Sequence, residues 1–145
     1  MARIKAVLDL GSSVPSQLLA TTLLRQGSKL RKPRLAEIRS RYELLASLLE
    51  RLLSDWRFDP PAGGLVVWAK LPYGSASDLA AVARQAGVAI LPGPMTSPSG
   101  RFDGRVRLPF VAEPALIEKG LRRLAGAWAT YTGAGATERE LRVVV

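Results

Sequence analysis

Apolar positions at helical spacing open the chain. Leu18, Leu19, Leu23 and Leu24 make one apolar stripe after a Gly11-Ser12-Ser13 break. This predicts a first helix with Ser12 or Ser13 as N-cap, because a hydroxyl can accept a bond from a free first-turn amide. Pro15 suits a first turn, whose amides have no helical partner. Gly27 and Ser28 read as the end of that helix, and Pro33 as the opening of a longer one. There Leu35, Ile38, Tyr42, Leu45, Leu49 and Leu52 recur at intervals of three and four, with Leu44, Leu48 and Leu53 widening the seam. The run is short for a coiled coil and predicts a helix laid against its own domain.

The period then falls to two. Asp55–Pro61 is a connector or short strand, and Ala62-Gly63-Gly64 a turn. In Leu65–Leu71, Leu65, Val67, Ala69 and Leu71 point one way, and Val66, Trp68 and Lys70 the other. Pro72 and Gly74 close that strand. Ser75 caps a third helix, with Asp78 near its positive end. Leu79, Val82, Ala83 and Ala86 form its apolar side, and Gly87 its C-terminal cap. Two short apolar segments follow, Val88–Leu91 and Val106–Phe110, separated by a loop rich in Gly, Pro and Ser. Glu113 and Pro114 start a fourth helix carrying Leu116, Ile117, Leu121, Leu124 and Trp128. Ala2–Leu10 is a helix tail or connecting strand. From Thr130 the composition turns small and polar, which predicts a poorly ordered tail unless Val143–Val145 pair with an edge strand. The fold class is α+β: a small, mostly antiparallel sheet covered by helices, preceded by a long helix.

Composition removes several chemistries. The 145 residues suit one domain with a core, and 48% hydrophobic with 23% charged residues suits a globular chain. No apolar run approaches the roughly 18 residues of a membrane span. The N-terminus breaks at Gly11 after a short apolar stretch, unlike a signal peptide. Cys and His are both absent, which excludes disulfides, thiol and Ser-His-Asp nucleophiles, and imidazole metal sites. The carboxylates are scattered without Ca²⁺-loop spacing. The net charge of +9 fits a solvated Arg-rich surface, or one balanced by acidic residues elsewhere in a larger protein. A nucleic-acid module is a third reading, but no recognition-helix pattern or interleaved aromatics support it. The one fixed charge set within an apolar framework lies at Arg105 and Arg107, around Val106 and Leu108. From pattern alone, Arg107 reads as an ordinary polar-face residue of a half-exposed strand, in register with Arg105.

The series PAGGLVVWAKLP, GVAILPGP and GRFDGRVRLPF resembles the C-terminal part of fold-type-I, pyridoxal-phosphate-dependent aminotransferases of class I/II. The likeness is strongest to the aminotransferase-like domain of MocR-type GntR transcriptional regulators. DLGSSVPSQLLATTLL resembles the segment where that family's chain leaves its large domain, and SDWRFDPPAGG its lead-in to the small-domain sheet. The likeness spans about Ala2 to Trp128.

The resemblance implies the following organisation. Residues 1–32 are an exit segment of the large domain with the first helix. Residues 33–129 are an interdomain-type connecting helix plus the small domain, and 130–145 a flexible tail. Within VRLPF, Arg107 takes the position of the arginine that grips a substrate's α-carboxylate, a role suited to paired guanidinium donors. Arg105 stays an ordinary strand residue. Gly63, Gly64, Pro92 and Gly93 are turn or loop residues first and candidate site walls second. Trp68 and Trp128 read as core.

The cofactor lysine is not among Lys5, Lys29, Lys32, Lys70 and Lys119, none of which has the family's small-residue context. Met95-Thr96 replaces an aromatic residue common in the regulators. The chain thus looks like the C-terminal piece of a longer cytoplasmic protein. That parent would hold pyridoxal 5'-phosphate, bind an amino acid or related amine, and work as a homodimer away from membranes. DNA would be bound only through an absent N-terminal domain. The leading expectation is a regulator; the alternative is the small domain of a true aminotransferase.

Overall fold

The structure, a computed structural model, describes residues 13–141. The segments Ala2–Leu10 and Val143–Val145 lie outside them. The first helix, α1, spans Val14–Arg25 behind Ser13, whose side chain makes no capping bond; its carbonyl accepts from the Gln17 amide instead. Gln26 is the joint that follows. Its amide donates back to the carbonyls of Thr22 and Leu23, and its carbonyl accepts from the amides of Lys29 and Leu30. The chain therefore re-enters a helix at once, and α2 runs Gly27–Leu52.

This corrects two expectations. Gly27 and Ser28 open the second helix rather than ending the first, and Pro33 lies inside α2 rather than at its start. Proline forfeits one amide bond to the preceding turn. Residues 29–36 are all exposed, so water can satisfy the carbonyl left over.

The contacts divide the chain into two units, with the break inside α2 between Glu37 and Ile38. In the first unit, none of the α1 residues is buried, and Val14, Leu18, Leu19, Leu23 and Leu24 are all exposed. Arg34 pairs with Glu37 one turn on, at 2.6 Å.

The second unit holds the core. Strand β1 is Val66–Lys70, α3 is Ala76–Gln85, β2 is Leu91–Pro92, β3 is Arg105–Pro109 and α4 is Pro114–Leu141; a 3₁₀ turn covers Gly93–Thr96. The sheet order is β1-β3-β2, antiparallel throughout. This is the α+β architecture of an aminotransferase small domain. Alternation decides its faces. Val67, Ala69, Val106 and Leu108 are buried, together with Leu45, Leu48, Leu49 and Leu53 of the α2 seam. From α3 come Ala76, Leu79 and Ala83, and from α4 Ile117, Leu121, Leu124 and Ala127. Val82 is only partly buried and Ala86 is exposed, so the inner face of α3 is centred nearer its N-terminus than expected.

Three local devices fix these elements. The Ser75 hydroxyl accepts from the Asp78 amide, as the sequence suggested. Asp103, just before β3, reaches the same helix end: its carboxylate accepts from both the amide and the hydroxyl of Ser77, and its carbonyl accepts from the Ala76 amide. Gly87 has φ +73, a left-handed conformation suited to its place after α3. The expected strand Val88–Leu91 shortens to a pairing of Leu91 and Pro92 with Arg107 and Val106. Pro92 has no amide to donate, and Gly93 turns the chain into the 3₁₀ turn. Val88 and Ile90 still pack against the core.

Candidate functional site

One face of the sheet carries the helices; the other is open. On the open face the register sets Trp68 of β1 opposite Arg107 of β3, with Leu91 of β2 opposite Arg107 on its other side. Arg107 is thus on the central strand between an aromatic and an aliphatic neighbour. It is exposed, while Val106 and Leu108 beside it anchor the backbone in the core. No hydrogen bond or ion pair joins its guanidinium to another described residue. A planar fork of donors on a rigid strand, with its charge unmatched, suits a carboxylate approaching the sheet.

Trp68 departs from the expectation of a core residue. Val67 and Ala69 take the inner side of β1, so pleating puts Trp68 outside. Its ring meets Phe102 edge-on, with centroids 6.2 Å apart. Phe102 itself holds φ +72, which β-carbon sterics disfavour. The guanidinium of the preceding residue, Arg101, lies 5.5 Å from the Phe102 ring centre. Trp128 is partly buried and packs against Trp56, Tyr73 and Tyr131.

The four candidate wall residues separate. Pro92 pairs with Val106 and is buried on the core side. Gly93 is buried too, and a β-carbon there would collide with the Phe102 carbonyl oxygen. That glycine is explained by close backbone packing. Gly63 and Gly64 lie exposed in the bend before β1, where a β-carbon would meet nothing within 4 Å; Gly64 has φ +88.

The register also assembles a group that the sequence left scattered. Arg57, in the segment read as connector or strand, bridges Lys70 with both backbone hydrogen bonds exchanged. Lys70 in turn lies opposite Arg105. Having spent its amide and carbonyl on Arg57, Lys70 meets Arg105 as a non-hydrogen-bonded pair, the kind in which side chains come closest. Arg57, Lys70 and Arg105 therefore form a row of three cations across the open face, next to the row of Trp68, Arg107 and Leu91. None of the three has a carboxylate partner among the described residues.

Comparison with known proteins bears on what this face is. No family profile matches the chain. The 2-aminoadipate transaminase of Thermus thermophilus is 31% identical over 123 residues, 82% of this chain and 31% of the relative. The solved α-aminoadipate aminotransferase from the same organism, complexed with N-(5'-phosphopyridoxyl)-L-leucine, superposes with a TM-score of 0.77. It is 29% identical over 91% of this chain and 35% of its own. The chain is homologous to the pyridoxal-phosphate-dependent class I/II aminotransferases. A kynurenine aminotransferase from Pyrococcus horikoshii, solved with cofactor, substrate and product, gives a TM-score of 0.68. There the identity is 26%, over 86% of this chain and 32% of that one. The chain spans about a third of the length of the aminotransferases it matches. These relatives are enzymes by name. They favour the aminotransferase alternative over the expected regulator, whose DNA-binding character finds no support in them.

Pyridoxal phosphate needs an amine for its aldehyde, an acid facing its pyridine nitrogen and a phosphate cradle. The amine on the open face, Lys70, stands between two arginines, and no described carboxylate pairs with that group. The residues of this face do not fit the cofactor. They fit a carboxylate. Among the described residues no helix is long and apolar enough to cross a membrane.

Proposed function

We propose that the chain is the small-domain part of a class I/II aminotransferase and that Arg107 holds the α-carboxylate of its amino-acid substrate. One observation carries this: an exposed, unpaired guanidinium at the centre of the open sheet face, on a backbone fixed by Val106 and Leu108. The homology and the place of Arg107 within VRLPF support it. Trp68 and Leu91 limit its sideways motion, so less conformational entropy is lost when it binds. Residues outside this chain, including a dimer partner, would hold pyridoxal phosphate and carry the reacting groups. In this reading the chain orients substrate and performs no bond-making step.

The test is made in the full-length protein. Arg107→Gln should lower kcat/KM for the amino acid by about 100-fold or more, with Arg107→Lys recovering part of the loss. Unchanged kcat/KM in Arg107→Gln would remove the assignment. A DNA-binding domain preceding this region, in a protein without transaminase activity, would restore the regulator.

A further inference from the structure

The row of Arg57, Lys70 and Arg105 costs stability as it stands. Like charges directly opposite on a sheet repel, and no described carboxylate offsets them. All three lie on strand or bridge positions whose backbones are pinned by pairing, so they cannot separate by moving the chain. The row adjoins Arg107 on the same face, since Arg105 and Arg107 are two residues apart on β3. That separation is about 7 Å along a strand.

The geometry points to a second anion seat: the row of Arg57, Lys70 and Arg105 takes the side-chain carboxylate of an amino dicarboxylic acid whose α-carboxylate lies on Arg107. This rests on the α-carboxylate role proposed for Arg107. The approximate spacing suits an acid of about five or six carbons, because an extended chain of that length sets its two carboxylates about 5–6 Å apart. Lys70, in the middle of the row, is opposite Arg105 and diagonal to Arg107, so its ammonium can reach the far carboxylate with help from either arginine. The Trp68 ring stands beside Lys70 along β1 and next to Arg107, and gives the methylene chain an apolar surface to lie on. The chemistry predicted is discrimination by charge: an acid is taken, and its neutral amide of the same shape is not.

The test uses the 145-residue chain labelled with ¹⁵N at low ionic strength, titrated with L-glutamate, L-glutamine or inorganic phosphate and followed by backbone and guanidinium shifts. The expected result is that glutamate binds about tenfold tighter than glutamine, with shifts at Lys70 and Arg105 as well as Arg107. In the double variant Lys70→Gln with Arg105→Gln, glutamate should fall to the affinity of glutamine while glutamine itself is unchanged. Added salt should narrow the gap in the parent chain. Equal affinity for the two amino acids, with both lost in Arg107→Gln, overturns the second seat and leaves the α-carboxylate role standing. Glutamine affinity that is unchanged in Arg107→Gln, or no binding of either amino acid, overturns both. Saturable phosphate binding at Lys70 and Arg105 without preference for glutamate makes the row a phosphate seat and also overturns it. All substitutions are at exposed or half-exposed positions, and unaltered spectra outside the sheet face confirm the fold of each variant.

Discussion

Arg41 of α2 reaches across to Glu113, its guanidinium 2.9 Å from the carboxylate, while a second amino group of the same fork donates to the Val111 carbonyl. The two partners differ in burial. The Arg41 side chain is 10% exposed and that of Glu113 78%. The ion pair is therefore screened on one side, and the bond to the Val111 carbonyl is the part sheltered from water. Arg41→Met should destabilise the fold by about 1–3 kcal/mol, because a sheltered carbonyl loses its donor. Glu113→Gln should cost no more than about 0.5 kcal/mol, as expected for an exposed partner. Urea denaturation of both variants checks this. Equal losses would show that the charge pair, not the carbonyl bond, ties α2 to the segment between β3 and α4.

Gly93 is a packing requirement, so its replacement should be felt in stability. A β-carbon at Gly93 would overlap the Phe102 carbonyl oxygen and stand 2.9 Å from the Phe102 β-carbon. Backbone cannot yield as a side-chain tip can, and Phe102 is already in a disfavoured conformation. Gly93→Ala should cost about 2 kcal/mol or more. Gly63→Ala, where the space is open, should change stability by less than about 1 kcal/mol. Thermal or urea unfolding of the pair would decide it, and similar values for the two would refute the packing account.

Asp103 gives the fold an acid-sensitive tie. Hydrogen bonds from Ser77 hold its carboxyl below the ordinary aspartate range, with a smaller opposing effect from burial and further help from Ser75. A depressed folded value means the ionised form favours the folded state. The contribution is fully present above the unfolded value of about 3.9. It is lost as pH falls through the lower folded value. Asp103→Asn should therefore destabilise the chain at neutral pH, and the difference from the parent should shrink below about pH 4. Unfolding midpoints between neutral pH and about pH 3 measure this; a gap that stays constant with pH would exclude the carboxylate as its source.

Much of this fold could be read from spacing. The two-residue period of 65–71 assigned both faces of β1, and the Ser75–Asp78 pattern gave a cap that the hydroxyl does make. These are local: one residue's neighbours three or fewer positions away decide them. Pro33 was misleading because a proline marks a first turn only where nothing upstream already supplies helical carbonyls, and Gln26 supplies one. Arg41 gave no signal in the seam of leucines, since its partners are about seventy residues on.

The candidate site divides in the same way. Arg107 was legible from its motif and from its place between two apolar residues. Its company was not. Trp68 was visible as an outward residue of β1, but only pairing shows that it stands opposite Arg107. Arg57, Lys70 and Arg105 are separated in sequence by intervals that carry no pattern, and strand register alone puts them in one row. The sequence by itself determined the helices, the alternating strands and the arginine offered to solvent, because each follows from contacts along the chain or from side-chain chemistry. Tertiary structure decided which strands adjoin and at what offset. Backbone hydrogen bonding between distant segments sets that offset, and a slip of one residue would have turned these cations toward the core.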